Sequence, residues 1–182
     1  MRFATVHRST GHRDEGQEVM GLAEYLDDQG VRYQTLLHPP AFTAQRLAKY
    51  LHIQGRQVAR AVLLHGPDGL FLAVLPATHR IDLERLAGQL GGPVRLATRL
   101  EAACVFRDCA WGVVSAFGGR YGLPTLIDTS LDHDTWIVVE GATHVEAVLL
   151  PCADFERLAG AFRLSFACSA AGRPELPLHG GQ

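Results

Sequence analysis

The sequence predicts an α+β domain built on a mixed, mainly antiparallel sheet flanked by helices. Three observations predict it. Two apolar runs, VARAVLL (58–64) and LFLAVLP (70–76), are separated only by HGPDG, which is the pattern of a β-hairpin. Three further strand-like segments, TLID, TWIVVE and HVEAVLL, follow one another between 125 and 150 with short connections. Helical periodicities with recognisable caps lie before and between these strands rather than alternating with them, which argues against a repeating βαβ unit.

The elements follow in order. Residues 1–16 are polar and aperiodic and read as a flexible arm. QEVMGLAEYLDDQ (17–29) places Val19, Leu22 and Leu26 on one helical face, with Gly30 as the stop. VRYQTLL alternates and reads as a strand broken by HPPAF. Thr43 is a good N-cap for the helix AQRLAKYLHI. After the hairpin, Asp82 caps IDLERLAGQL, which Gly91 and Gly92 end. VRLA reads as a short strand. Thr98 and Glu101 form a capping-box pattern that opens another helix. WGVVSAFGGRYGLP is rich in glycine and reads as a loop with demanding backbone geometry. After the three strands, Asp154 caps the helix FERLAGAFRL. The domain is expected over 17–165, and 166–182 read as a tail.

Composition excludes several function classes. Hydrophobic residues make up 47% and charged residues 20%, an ordinary profile for a water-soluble globular chain. No apolar run approaches the ~18 residues that a membrane span requires. The start, MRFATVHRSTGHRDEG, has no apolar core of a secretory signal, so a cytoplasmic location without membrane contact is expected. Cys104, Cys109, Cys152 and Cys168 form no CxxC pair and read as free thiols. The nine histidines include no HExxH motif, and no metal site is expected. Net charge is −2, yet residues 46–99 hold eight basic side chains against Asp68, Asp82 and Glu84. That excess could attract a phosphate backbone, or could be solvated helix faces.

Five segments, in order, carry a resemblance: HPPAFTAQRLA (38–48), QVARAVLLHGPDGLFLAVLPATHRIDLERLA (57–87), PVRLAT (93–98), GVVSAFGGRYGLPTLIDTSL (112–131) and VVEGATHVEAVLL (138–150). From Glu18 to about Leu164 the chain resembles the YbaK/prolyl-tRNA synthetase-associated domain family of aminoacyl-tRNA deacylases. The resemblance implies a curved sheet flanked by helices. It also implies hydrolysis of the ester that joins a wrong amino acid to the terminal adenosine of a tRNA. No cofactor is implied. The implied partners are the acceptor end of an aminoacyl-tRNA and, secondarily, an aminoacyl-tRNA synthetase. Such a site must position water or a ribose hydroxyl, stabilise an oxyanion and exclude the correct amino acid. No GxSxG motif is present.

The same resemblance assigns residues. At the position of Arg60 the family carries a lysine important for deacylation. Strand alternation turns Arg60 to the same face as Val58 and Val62, where a cation needs an arriving anion or a nearby acid. Arginine grips phosphate bidentately but does not readily release a proton. Three readings follow: a tolerated replacement in a chain with one lysine and sixteen arginines (17 − 1), a catalytically weakened module that still binds, or a side chain that merely snorkels. Asp128 is one candidate partner for it. Where the family commonly reads G-x-V-P-P-F-G, this chain has Gly112-Val113-Val114-Ser115-Ala116-Phe117-Gly118. Gly112 and Gly118 are expected to shape an oxyanion site, with Ser115, Ala116 and Phe117 against the substrate. Thr43, Asp128 and His144 match family positions near the pocket. Each also has a local reading: a helix cap, a loop carboxylate and a structural imidazole. His38 reads more simply as a turn histidine.

Overall fold

The computed structural model describes residues 21–170 and gives the following order. Helix α1 (Leu22–Asp28) leads into β1 (Gln34–Leu37) and α2 (Ala44–Leu51). The hairpin β2 (Val58–Gly66) and β3 (Gly69–Pro76) follows, then β4 (His79–Ile81), α3 (Leu83–Leu90), β5 (Arg95–Leu96) and α4 (Arg99–Val105). After the glycine-rich segment come β6 (Thr125–Asp128), β7 (Trp136–Glu140), β8 (Glu146–Pro151), α5 (Cys152–Ala159), β9 (Phe162–Leu164) and β10 (Ala167–Ser169).

The main sheet runs β1-β8-β7-β2-β3-β6-β9, and β4 and β10 pair separately. Neighbours are antiparallel except β2–β7, β3–β6 and β6–β9. The expected mixed, mainly antiparallel sheet is therefore the one observed. The hairpin is tighter than its five-residue spacer suggests, because pairing continues to Gly66 and Gly69 and only Pro67 and Asp68 turn.

Alternation along the strands fills both faces. On one face Ala59, Val74, Ile127 and Val139 meet α1 and α5 through Leu26 and Phe155. On the other, Val58, Val138 and Ala147 pack against Leu47 and Ala48 of α2. Leu64 and Leu75 meet Leu86 of α3 on that side as well. The caps act locally as expected: the Thr43, Asp82 and Thr98 side chains accept the amides of Arg46, Arg85 and Glu101. Each such cap is worth roughly 1 kcal/mol.

Three expectations are corrected at the C-terminal end. Helix α5 starts at Cys152 with Pro151 at its N-cap, and Asp154 sits in the first turn, 3.2 Å from Arg157. That helix ends at Gly160, which is left-handed with φ 57°, so Phe162–Leu164 forms a strand parallel to β6 instead of continuing the helix. Nor does a tail begin at 166. Phe166 is fully buried beside Leu64 and Leu86, and Ala167–Ser169 pairs with β4. The expected arm (1–16) and the tail beyond residue 170 lie outside the described residues. Among the described residues no helix is long and apolar enough to cross a membrane.

Candidate active site

Strand β2 is covered along one edge by β3 from Ala59 to Gly66. Its other edge is shared. β7 pairs with it at Val58 and Ala59, and β5 pairs with it at Leu64 and His65. The Ala97 amide also donates to the Leu63 carbonyl, so the edge of β2 is unpaired by strands only over 60–62, and two clefts that share lining residues lie at this gap in the sheet.

The larger cleft has a volume of about 890 Å³ and reaches from Ala61, Val62 and Leu63 to α4 and the 109–114 segment. The smaller is about 240 Å³ and lies between β2, the start of α2 and the end of β7. Phe42, Ala61, Gly112 and Val114 line both and form the neck between them. Gly112 holds φ at 87°, a left-handed conformation that L side chains rarely adopt. Among the described residues, the amides of Gly112 and Val114 donate to no protein acceptor. They are backbone donors at the neck.

Arg60 lines the smaller cleft. Its Nη2 donates to the carbonyl of His79 at 2.9 Å, and its Nε is buried without a partner. Burial lowers the Arg60 pKa from its ordinary value. Among the described residues Arg60 has no carboxylate within ion-pair distance. The cleft therefore holds a half-buried cation that no described carboxylate pairs at ion-pair distance, an arrangement that favours an incoming anion or oxyanion.

Glu140 lines the same cleft, and the pairing register explains why. Val58 and Ala59 lie opposite Val138 and Val139 in a parallel ladder, so Arg60 and Glu140 are the next register positions, just where the ladder ends. In a parallel pair they share one face. Glu140 Oε1 lies 3.0 Å from His144 Nδ1. The other ring nitrogen of His144, Nε2, lies 2.9 Å from the Trp111 carbonyl oxygen. Both nitrogens face acceptors, which suits the doubly protonated ring. Partial burial would lower the His144 pKa, but the Trp111 carbonyl and the Glu140 carboxylate outweigh it and raise it. Burial raises the Glu140 pKa, with His144 and His38 opposing the rise.

The structure brings together Arg60, Thr43, Gly112, Ala116 and His144 around the two clefts. Thr43 both caps α2 and lines the smaller cleft. Ser115, Phe117, Gly118 and Asp128 line neither. Ser115 is buried, and its Oγ accepts the Phe117 amide at 3.4 Å. Phe117 is a core side chain, edge-on to Tyr25 and Phe155. Gly118 is a packing glycine, since a Cβ there would lie 2.2 Å from Thr125 Oγ1. Asp128 is not the partner of Arg60. Its carboxylate accepts the amides of Ser130, Phe166 and Ala167 and the Ser130 hydroxyl, which ties β6 to the segment after β9.

Sequence reasoning missed Glu140, Phe42, Trp111 and Arg107. The last three all line the larger cleft, with Trp111 68% and Phe42 67% exposed. Two exposed aromatic side chains were the available signal. Of the basic excess between 46 and 99, only Arg60 and Arg99 reach the clefts, and Arg95 pairs with Glu101 at 2.8 Å.

A split sheet edge with a cation that no described carboxylate pairs, beside backbone donors that no described acceptor takes, defines a domain able to receive an anionic or ester-bearing ligand. The chain belongs to the aminoacyl-tRNA editing domain family, whose model matches residues 38–158. A curated relative, the proline–tRNA ligase of Thermosipho melanesiensis, is 24% identical over 83 residues, 44% of this chain but 15% of that protein. Among solved structures, a proposed trans-editing enzyme for prolyl tRNA synthetase superposes with a TM-score of 0.73 at 21% identity, covering 86% of this chain and all of that one. A hypothetical protein superposes with a TM-score of 0.72 at 16% identity, covering 81% and 99% of the two chains. At these identities the structural likeness establishes the fold.

Proposed function

We propose that the protein is an aminoacyl-tRNA deacylase that hydrolyses the ester of a mischarged tRNA in trans. One observation carries the reading: Arg60 sits half-buried in a cleft, beside the Gly112 neck, with no described carboxylate within ion-pair distance. The two clefts suit the two halves of the substrate. The larger falls in the ~300–1,000 Å³ range of small-molecule sites, and the smaller falls below it. The terminal adenosine enters the larger, where Trp111 and Phe42 offer stacking faces and Arg99 and Arg107 meet phosphate. Base stacking of this kind is worth ~1–3 kcal/mol. The amino acid enters the smaller, and its size is read there at ~1–3 kcal/mol per methylene.

The ester then lies at the neck. Water adds to its carbonyl carbon, and the Gly112 and Val114 amides stabilise the oxyanion with Arg60. The C–O bond to ribose breaks, the ribose oxygen takes the proton, and free amino acid leaves. The partner in this reaction is the acceptor end of an aminoacyl-tRNA, and an aminoacyl-tRNA synthetase is a second proposed partner. The test is a panel of tRNAs charged with small amino acids. Deacylation of at least one, lost in Arg60→Ala, is expected, and no turnover across the panel rejects the reading.

A second reading has its own observation. Arg60 Nη2 is already committed to His79, and a guanidinium cannot donate its proton as a lysine can. The domain would then bind aminoacyl-tRNA or a nucleotide-like ligand without turnover. A large gain of hydrolysis in Arg60→Lys favours this reading.

A further inference from the structure

The smaller cleft carries two opposite charges that are not committed to each other. Arg60 lines it and bonds to a carbonyl, and Glu140 lines it and bonds to His144 through Oε1 alone. Among the described residues Glu140 Oε2 has no protein partner, and it is not a buried atom left without one, so it remains open to solvent. The Glu140 side chain is 32% exposed, partly desolvated but within reach of a ligand. A carboxylate in this setting rewards a cation that arrives with its own hydrogen-bond donors.

We infer that Glu140 recognises the α-ammonium group of the aminoacyl ester and so restricts the site to substrates with a free amino terminus. The inference rests on the deacylase reading and deepens it. An aminoacyl ester places an ammonium one carbon from the carbonyl that water attacks. Glu140 and Arg60, neighbours in register at the end of the β2–β7 ladder, offer the matching charges: Oε2 to the ammonium, the guanidinium to the oxyanion side. An N-acylated ester has no ammonium. It leaves Oε2 facing an uncharged amide and must fit the extra acyl group into about 240 Å³. A half-buried carboxylate deprived of its partner is unfavourable, so the N-acylated ester is rejected. The consequence is chemical: mischarged aminoacyl-tRNA is a substrate, whereas peptidyl-tRNA and N-blocked initiator-type esters are spared.

The experiment uses the full chain and a matched pair of substrates, one tRNA carrying a small amino acid and the same tRNA after N-acetylation. The wild-type protein is expected to favour the free amine by roughly 10- to 150-fold in kcat/KM, the scale of a lost charged contact. Glu140→Gln is expected to lose activity mainly on the free-amine substrate, so that the ratio collapses toward one. Equal hydrolysis of both by the wild type overturns the inference. So does an equal loss on both in Glu140→Gln, which is what a purely structural Glu140 gives. If the wild type hydrolyses neither, the deacylase reading fails separately. Binding of a 3′-aminoacylamino-adenosine and its N-acetyl twin then decides the inference: a preference for the free amine supports it, and equal affinity overturns it.

Discussion

His144 Nδ1 lies 3.0 Å from Glu140 Oε1, and the opposite face of the same ring points Nε2 at the Trp111 carbonyl, 2.9 Å away. One imidazole thus bridges the end of β7 to the segment that holds Gly112, and it bonds to both only when doubly protonated. Its pKa is raised in the folded protein, so the bridge stabilises the fold fully below the ordinary histidine value of ~6.5 and is lost as pH rises through the higher folded value. The stability difference between wild type and His144→Gln should be present at pH 5.5, amount to no more than about 1 kcal/mol, and vanish at high pH. Denaturant titrations at several pH values measure it. An NMR titration of His144 in Glu140→Gln should show its pKa falling toward ordinary. An unchanged value would mean that the carboxylate does not hold the proton there.

Arg60 predicts a separation of stability from function. Among the described residues its half-buried charge has no carboxylate within ion-pair distance, and its side chain bonds only to the His79 carbonyl. Arg60→Met loses that bond, worth ~1.5–3 kcal/mol, and gains relief from desolvation of comparable size. Stability should therefore change by no more than ~1 kcal/mol, or ~2–4 °C in Tm. Deacylation should fall at least ~100-fold, the scale of one lost transition-state contact. Calorimetry beside a deacylation assay reads both. A large loss of stability with activity kept would assign Arg60 to the fold alone.

What was legible in the sequence was local. Thr43, Asp82 and Thr98 each cap the helix that starts one residue later, and the hairpin announces itself through two apolar runs and a turn. FERLAGAFRL misled because its apolar spacing suits a helix throughout, and only the left-handed turn at Gly160 divides it. Asp128 misled because its amide donors at Phe166 and Ala167 lie 38 and 39 residues further on. Glu140 was invisible as a site residue. Its place beside Arg60 follows from the pairing of Val58 with Val138, a register that no short window contains. The family resemblance supplied Arg60, Gly112 and His144. The gap in the sheet that joins them is a property of β5 and β7 sharing one edge.

Asp128 is accordingly predicted to matter for acid stability. Burial alone would raise its pKa, but the Ser130 hydroxyl and the amides of Ser130, Phe166 and Ala167 together lower it. The stabilisation is complete above the unfolded value of ~3.9 and is lost as pH falls through the lower folded value. Asp128→Asn should cost ~2–3 kcal/mol at neutral pH, where charge-assisted bonds become ordinary ones with one donor misplaced. The two proteins should converge as pH falls through the lowered folded value. Urea melts at pH 7 and over a series of acidic pH values test this. A mutant with full stability but impaired deacylation would return Asp128 to the substrate site.

The two glycines that the sequence paired as oxyanion residues should now behave differently. Gly118 has an ordinary φ, but a Cβ there would meet Thr125 Oγ1 at 2.2 Å, the Leu123 carbonyl oxygen at 2.9 Å and Leu72 Cδ1 at 3.0 Å. Two of these contacts are closer than real Cβ atoms come, so the surroundings must shift, at ~1–3 kcal/mol or more for an overpacked core. Gly112 has open space instead. A Cβ there meets only His144 Nε2, at 3.9 Å, but φ is 87° and an L residue is strained by ~1–2 kcal/mol. The cheapest relief of that strain is to rotate the Gly112 amide, which lies at the neck. Gly118→Ala should therefore lower Tm with kcat/KM kept in the fraction that folds. Gly112→Ala should lower kcat at least ~10-fold for a similar or smaller loss of Tm. Measured side by side, equal kinetic losses in the two variants would place the oxyanion donors elsewhere than the Gly112–Val114 backbone.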